Sequence, residues 1–402
     1  MLLKSLLIVL LGSLALCQTN TSPRSGVYEG QDATILSNGR LELTVLTQGA
    51  AIGSIVMTDD AEHMTPIWNP VRLARESGRQ YQFNGMFGHF PCVDGFGQPS
   101  AEERAAGLPQ HGEAHVTRFT VNKNADADSF SLAATFPIVQ ENFTRTFRMV
   151  PGENVVYVDS VLENLLGFDR PVNWAEHATL SSPFVEPVKM VVYQSGTRSQ
   201  NRPANDQAGR AGAPAAAANP GRGNNNAPGN GRPLESGKNF TWPMAPGLNG
   251  ATVDMSAIPD KVPAGDHTAT VLDPTRRLEW LAALNTGKGL VYGYVIRRED
   301  YPWIQHWGNY QSLSGLVRGL EFGTQPYDVS RREAITKNSL FDTPTYRWLP
   351  AKSKIESHFL IFYARVPQGF RKVDDVTLEN SQITIQDKAS GKQITLAASR
   401  GL

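Results

Sequence analysis

The sequence predicts an all-β protein folded as a β-sandwich, and three observations support this fold class. Apolar and polar residues alternate with a period of two in many short runs, as they do in half-buried strands. Glycine and proline separate these runs and favour turns between them. No long run of apolar residues follows the spacing of a helix. Many short strands joined by such turns are typical of two packed sheets.

The strand-like runs begin at Leu41 and continue almost to the end of the chain. In the first run, Leu41–Val45, leucine and valine alternate with glutamate and threonine. The stretch Asn84–Gly112 is rich in glycine and proline and predicts a long loop region. The remaining predicted strands are Gly49–Met57, Phe130–Phe136, Phe143–Met149, Val155–Leu162, Leu278–Leu284, Leu290–Ile296 and Ile355–Val366.

The N-terminus has the pattern of an export signal. Lys4 precedes an apolar run, Leu6–Leu16, that is too short to span a membrane. We therefore expect residues 1–17 to be a signal peptide cleaved after Cys17, which predicts a secreted or periplasmic protein with no integral membrane segment after its removal. The alternative is a lipoprotein acylated on Cys17, to which the preceding Leu16 is a poor fit.

Two further segments are predicted to lie outside the regular sandwich. Ser199–Ser236 is rich in Gly, Asn, Ala, Pro and Arg and has almost no large apolar side chain, so we expect a disordered insertion between strands. Residues 367–402 are predicted to form a C-terminal β-hairpin extension, with its turn at Ser390-Gly391.

Charge and cysteine content exclude several classes of protein. The formal net charge is +0 and the pI is about 7.1, which gives no basic field for a nucleic-acid partner. Once Cys17 is removed, Cys92 has no cysteine with which to form an intrachain disulfide. Cys92 could be a nucleophile, but its apolar surroundings favour a small buried hydrophobic residue.

Three distant segments carry the residues best suited to chemistry. Gln110-His111-Gly112 lies near the start of a predicted strand, Asn173–Leu180 contains His177, and Gly319–Pro326 contains Glu321. Two imidazoles and a carboxylate provide both a proton donor and a proton acceptor near neutral pH. Together they predict acid/base work on a neutral polar substrate.

In these three segments the chain resembles the aldose 1-epimerase (galactose mutarotase-like) superfamily. His111-Gly112 resembles the family's His-Gly pair, Asn173–His177 its Asn-x-x-x-His motif, and Gly319–Pro326 its Gly-x-Glu-x-x-x-x-Pro segment. The resemblance covers residues 36–366 apart from the insertion. It implies a large antiparallel β-sandwich of the galactose mutarotase-like kind and a small-molecule carbohydrate as substrate.

The sequence departs from the family pattern at two positions. Asp94 stands near the place where family members have an arginine, and His115 stands where the sugar-phosphate subgroup has one. Without these arginines a phosphate clamp is not supported, so a neutral sugar is the expected substrate.

The resemblance also implies a mechanism. Glu321 would take the proton of the anomeric hydroxyl, His177 would protonate the ring oxygen, and His111 would hold the ring oxygen or a neighbouring hydroxyl. No cofactor is needed for this reaction, because it has no redox or group-transfer step.

Other polar and aromatic residues are weaker candidates for sugar contacts. Asp94, His115 and Glu176 are expected to be polar neighbours of the substrate, and Trp303 and Trp307 to form a stacking wall, although core packing is an equal alternative for the tryptophans. His89, His111 and His115 do not match the spacing of a zinc motif, and no metal site is expected. The alternative function is a non-catalytic carbohydrate-binding protein with the same fold.

Overall fold

The computed structural model describes residues 22–203, 234–259, 266–310 and 316–402. The segment predicted to be a signal peptide, residues 1–17, lies outside these ranges. No helix in the part of the chain that the structure describes is long and apolar enough to cross a membrane.

Strands dominate the described residues. Those of the N-terminal half are β1 (Arg24–Tyr28), β2 (Gln31–Ser37), β3 (Leu41–Leu46), β4 (Ile52–Met57), β5 (His89–Val93), β6 (Thr120–Lys123), β7 (Ser129–Phe136), β8 (Glu141–Arg148), β9 (Val155–Asn164), β10 (Arg170–Val172), β11 (Trp174–Ser181), β12 (Met190–Gln194), β13 (Arg198–Asn201) and β14 (Asn239–Thr241). Those that follow are β15 (Met244–Pro246), β16 (Thr252–Asp254), β17 (Asp266–Val271), β18 (Leu278–Asn285), β19 (Leu290–Arg297), β20 (Trp303–Asn309), β21 (Val317–Gly323), β22 (Ser339–Leu340), β23 (Thr343–Pro344), β24 (Arg347–Leu349), β25 (Lys354–Arg365), β26 (Asp375–Glu379), β27 (Gln382–Asp387) and β28 (Lys392–Ala397).

Two large sheets are built from these strands. The eleven-stranded sheet has the order β1-β2-β3-β4-β5-β11-β21-β20-β17-β13-β14, and the eight-stranded sheet has the order β12-β18-β19-β25-β9-β8-β7-β6. Every ladder within them is antiparallel. The predicted all-β antiparallel sandwich is therefore confirmed.

The helices are short and lie in the connections. They are α1 (Pro70–Glu76), α2 (Ala101–Ala105) and α3 (Arg331–Lys337), together with 3₁₀ turns at Ala114–Val116 and Leu248–Gly250. Each α-helix begins at a residue whose side chain accepts a backbone N–H of the first turn: Asn69, Ser100 and Ser330.

The side chains of each strand alternate between its two faces, so every second side chain of the large sheets points to the other sheet. The main core lies between the two sheets for this reason. In β25, Phe359 and Ile361 point into this core, whereas Leu360 and Phe362 point to the opposite face of the eight-stranded sheet. That opposite face is covered by a third layer, the sheet β26-β27-β28, through residues such as Ile383. The C-terminal segment thus adds one strand, β26, to the hairpin that the sequence predicts.

The predicted insertion is shorter at both ends than the composition suggests. Ser199–Asn201 belongs to β13, which pairs with β17 and β14, and Leu234 is 7% exposed. At the first end the sheet satisfies the backbone hydrogen bonds, and at the second Leu234 forms an isolated bridge with Gly247, neither of which composition reveals. Residues 204–233 lie outside the described residues.

Candidate active site

The three predicted segments meet on the outer face of the eleven-stranded sheet. Strand β11 lies between β5 and β21, and β20 follows β21. Thr179 pairs with Gly319, and Gln305 pairs with Glu321. Because side chains at alternate positions share a face, this register places His177 and Glu321 side by side, on the face turned away from the main core.

His177 and Glu321 are in direct contact. The His177 Nδ1 is 3.2 Å from the Glu321 Oε1 and 3.0 Å from the Thr179 hydroxyl oxygen. The Trp307 Nε1–H donates to the same Glu321 oxygen at 2.7 Å. The carboxylate is thus oriented by two ring nitrogens from neighbouring strands.

His111 reaches this pair from the loop between α2 and the 3₁₀ turn. Its ring centroid is 5.0 Å from that of His177, with the two planes at 88°. The Gly97 N–H donates to the His111 Nδ1 at 3.1 Å, so Nε2 carries the proton of the neutral ring, and this Nε2 lies 3.0 Å from the Gln110 side-chain amide. The loop is held by Gly112, where a Cβ would come within 2.3 Å of the Val93 carbonyl oxygen. A side chain at that position would push His111 out of place.

Aromatic rings form the walls of the cluster. Phe90 on β5 stacks on His177, with centroids 4.4 Å apart and planes at 15°, and Trp307 meets the His177 ring edge-on at 5.7 Å. His111, His177 and Glu321 are 1%, 6% and 1% exposed. The cluster therefore lies just below the surface, where reduced water contact strengthens its electrostatic interactions.

His115 lies behind this cluster. Its ring centroid is 5.6 Å from Phe90 and 6.3 Å from His111, and the residue is 2% exposed. Burial lowers the pKa of His115 to about 4, so the ring is neutral at pH 7. His115 thus packs against the rings of Phe90 and His111, behind His177 and Glu321.

Glu176, predicted to be a polar neighbour of the substrate, lies instead on the inner face of the sheet, away from His177 and Glu321. Glu176 precedes His177 in β11, so its side chain lies on the opposite face of the sheet, inside the sandwich, and is fully buried. Its carboxylate lies 2.8 Å from the His89 Nε2 and 2.9 Å from the Arg145 Nη2, and it accepts the Tyr301 hydroxyl at 3.1 Å. Burial alone would raise the pKa of Glu176, but Arg145 and His89 outweigh it and lower the pKa.

Asp94 is also held away from solvent. It is fully buried and ion-paired with Arg170, which precedes β11, and with Arg331 at the start of α3. Burial raises the pKa of Asp94, while the two arginines oppose that shift. The loop around Asp94 contains no arginine, but the fold brings Arg170 and Arg331 to it. Because both arginines pair with Asp94, its carboxylate does not act to repel an anionic substrate.

The two tryptophans on β20 have different environments. Trp307 contacts His177 and Glu321. Trp303 is fully buried, and its Nε1–H donates to the Pro344 carbonyl oxygen at 2.9 Å beneath the β22–β23 hairpin. Trp303 therefore takes the core-packing alternative, because a later hairpin covers that position.

Gln305 is a site residue that the sequence did not reveal. It lies opposite Glu321, between the two tryptophans on the same face, and is fully buried. Its Nε2 donates to the Gln325 carbonyl oxygen at 2.6 Å, and within the described residues its Oε1 has no hydrogen-bond partner. The alternation of Trp303, Gln305 and Trp307 was the signal that could have identified it.

The histidines considered for a metal do not converge. His89 faces the interior with Glu176, whereas His111 and His115 lie on the outer side of the sheet. Over the described ranges, no group of three or more His, Cys, Asp or Glu side chains is placed to hold a metal ion.

The fold is that of galactose mutarotase-like proteins. A Klebsiella pneumoniae protein described as a candidate aldose 1-epimerase shares 14% identity over 84% of this chain and 80% of its own, with a TM-score of 0.56. A galactose mutarotase-like protein from Clostridium acetobutylicum shares 11% over 86% and 99%, with a TM-score of 0.54. A galactose mutarotase related enzyme from Lactobacillus acidophilus shares 12% over 84% and 99%, with a TM-score of 0.52.

At these sequence identities, the structural similarity establishes the fold and does not extend to activity. No family model and no curated protein matches the sequence. The resemblance read from the three motifs is thus confirmed at the level of architecture.

Proposed function

We propose that this chain, with its galactose mutarotase-like fold, is an aldose 1-epimerase-like enzyme that interconverts the anomers of a neutral sugar. The observation that supports this most is the contact of 3.2 Å between His177 and Glu321, with His111 beside them. Three segments far apart in sequence supply an acid, a base and a hydrogen-bond donor to one place. Such a set is what opening of a cyclic hemiacetal requires.

Each residue has a chemical task in the proposed reaction. The Glu321 carboxylate, oriented by Trp307, removes the proton from the anomeric hydroxyl. With Nδ1 held by Glu321 and Thr179, the protonated His177 donates from Nε2 to the ring oxygen as the C1–O5 bond breaks. The His111 Nε2–H exchanges its contact with the Gln110 side chain for one to the ring oxygen or a neighbouring hydroxyl of the sugar. Closure on the other face of the carbonyl returns both protons, so no cofactor or net proton is consumed.

The burial of the cluster sets a condition on substrate entry. With Glu321 and His177 only 1% and 6% exposed, a pyranose must separate them to reach both. We expect the contact between their side chains to be replaced by contacts to the sugar. The same burial favours the second candidate function, a carbohydrate-binding protein in which these groups are structural and no exchange occurs.

The proposed location is outside the cytoplasm. Lys4 followed by the apolar run Leu6–Leu16 supports export, and acylation at Cys17 is the alternative. N-terminal sequencing of the protein purified from its source distinguishes cleavage after Cys17 from an acylated Cys17.

The decisive experiment uses polarimetry or NMR to measure how fast the full chain interconverts the anomers of freshly dissolved neutral hexoses. Glu321→Gln keeps the shape of the side chain but cannot accept the proton, so we expect exchange to fall by about 10²–10⁴-fold while sugar binding remains. Glu62→Gln, on the exposed surface, is the matched control. Saturable sugar binding without exchange by the native chain would select the binding-protein alternative.

A further inference from the structure

Away from the acid/base cluster, two neighbouring clefts form one long groove. The larger has a volume of about 630 Å³ and the smaller about 290 Å³, and Glu299, Asp300 and Arg347 line both. The larger cleft alone falls within the range of roughly 300–1,000 Å³ that is usual for small-molecule sites. We call the joined clefts the Trp348 groove, after the aromatic residue at its rim.

The exposure of Trp348 is unusual for a tryptophan. It is 56% exposed and meets Tyr346 edge-on, with ring centroids 5.7 Å apart and planes at 85°. Both residues line the larger cleft. An exposed aromatic surface with a polar rim marks a binding site, because leaving it in water is unfavourable. Aromatic faces pack well on the apolar faces of pyranose rings.

The polar lining contains both donors and acceptors with nearly balanced charge. Across both clefts, three arginines oppose four carboxylates: Arg297, Arg298 and Arg347 against Glu299, Asp300, Asp342 and Glu356. The Arg347 Nη1 is 3.5 Å from the Asp300 Oδ1, and the His358 N–H donates to the other oxygen at 3.0 Å. A lining of this kind suits an uncharged ligand rich in hydroxyl groups, since a strong anion or cation would meet repulsion from one set of charges.

The β22–β23 hairpin forms one wall of the groove. Phe341 and Asp342, with φ values of 52° and 60°, are the two central residues of its turn, where positive φ is usual. Asn338 ends α3 just before the hairpin. Asn338 and Asp342 line the larger cleft, while Phe341 packs against Trp303 with centroids 6.5 Å apart. This wall therefore contributes an amide and a carboxylate to the lining of the cleft.

We infer that the Trp348 groove binds an uncharged oligosaccharide chain through stacking on Trp348 and Tyr346 and hydrogen bonds to the charged lining. This site is separate from the acid/base cluster and does not depend on its chemistry. It is nevertheless close to it: Thr324, which lines the groove, lies three residues beyond Glu321, a span of about 10 Å along an extended chain.

The test is calorimetry of the full chain with cellohexaose, maltohexaose and β-1,4-galactohexaose, and with hexagalacturonate as an anionic probe. We expect saturable binding of at least one neutral hexasaccharide, unchanged by Glu321→Gln. Trp348→Ala should weaken it by about tenfold or more, whereas Phe168→Ala should change it by less than about twofold. Phe168 is a matched control, because it is 60% exposed and lines neither cleft.

The inference would be overturned by no binding of any neutral hexasaccharide, by tighter binding of hexagalacturonate than of the neutral chains, or by equal effects of Trp348→Ala and Phe168→Ala. Loss of binding in Glu321→Gln would also overturn it, because the probe would then occupy the acid/base cluster. Anomer exchange on a free hexose should be the same in Trp348→Ala as in the native chain, which separates this test from that of the proposed function.

Discussion

Consecutive residues of strand β11 place ionisable side chains on opposite faces of the sheet, and the two faces have different surroundings. Glu176 points inward, where His89, Arg145 and Tyr301 bind its carboxylate. His177 points outward to Glu321 and the aromatic rings. The inner group is enclosed by the sandwich, so its ion pair is structural. The outer group lies just below the surface, where a substrate could replace its partner.

The comparison teaches that burial alone does not identify a catalytic carboxylate. Glu176 and Glu321 are 0% and 1% exposed, and both contact a histidine. The difference lies in what surrounds them: an arginine between two sheets, or aromatic walls on the outer face. Four predictions test whether this division is real.

The largest effect is expected on the outer face. His177→Gln removes the proposed acid, so exchange should fall by about 10²–10⁴-fold. The free energy of unfolding should change less than in a variant of Glu176, because Trp307 still donates a hydrogen bond to the buried Glu321 carboxylate. Polarimetry and urea unfolding on the same preparation measure both quantities. Full exchange activity in His177→Gln would remove this residue from the mechanism.

The inner face should respond in stability. Glu176→Leu leaves Arg145 fully buried without its carboxylate, which we expect to cost about 3–5 kcal/mol of unfolding free energy. The double variant Glu176→Leu with Arg145→Met removes both charges and should recover most of that loss. Urea denaturation measures each variant. Equal stabilities of the single variant and the native chain would mean that the inner network is not structural.

His115 should make stability depend on pH. The unfolded ring titrates near 6.5 and the folded ring at about 4, so between these values only the unfolded chain takes up the proton. The free energy of unfolding therefore decreases by up to about 3 kcal/mol as the pH falls from about 6.5 to about 4. His115→Gln should show a smaller loss between pH 7 and pH 4.5 in urea unfolding. The other buried histidines, which include His89 and His306, remain in both proteins and cancel in the difference.

The smallest effect compares the two tryptophans of β20. Trp307→Phe keeps an aromatic wall beside His177 but removes the donor to Glu321, so exchange should slow by roughly 10–100-fold, as for loss of a hydrogen bond to a charged group. Trp303→Phe removes the hydrogen bond to Pro344 and should lower stability by about 1 kcal/mol without slowing exchange. Equal exchange rates in the two variants would contradict the assignment of Trp307.

Much of the architecture could be predicted from local patterns. Alternation in runs such as Phe143–Met149 indicates strands, because pleating is a property of neighbouring residues. The three motifs around His111, His177 and Glu321 could be recognised for the same reason, since each is contiguous. The ends of the predicted insertion were missed, because Ser199–Asn201 is ordered by strands that lie far away in the sequence.

What the sequence alone determined is therefore local: the period of the strands and the three short motifs. Only the tertiary structure decided that Glu176 faces the core and His177 the outer side, because that depends on the second sheet. It also covered Trp303 with a hairpin and brought Arg170 and Arg331 to Asp94. Contacts between distant segments leave no mark in a local pattern, since they arise only when the sheets pack.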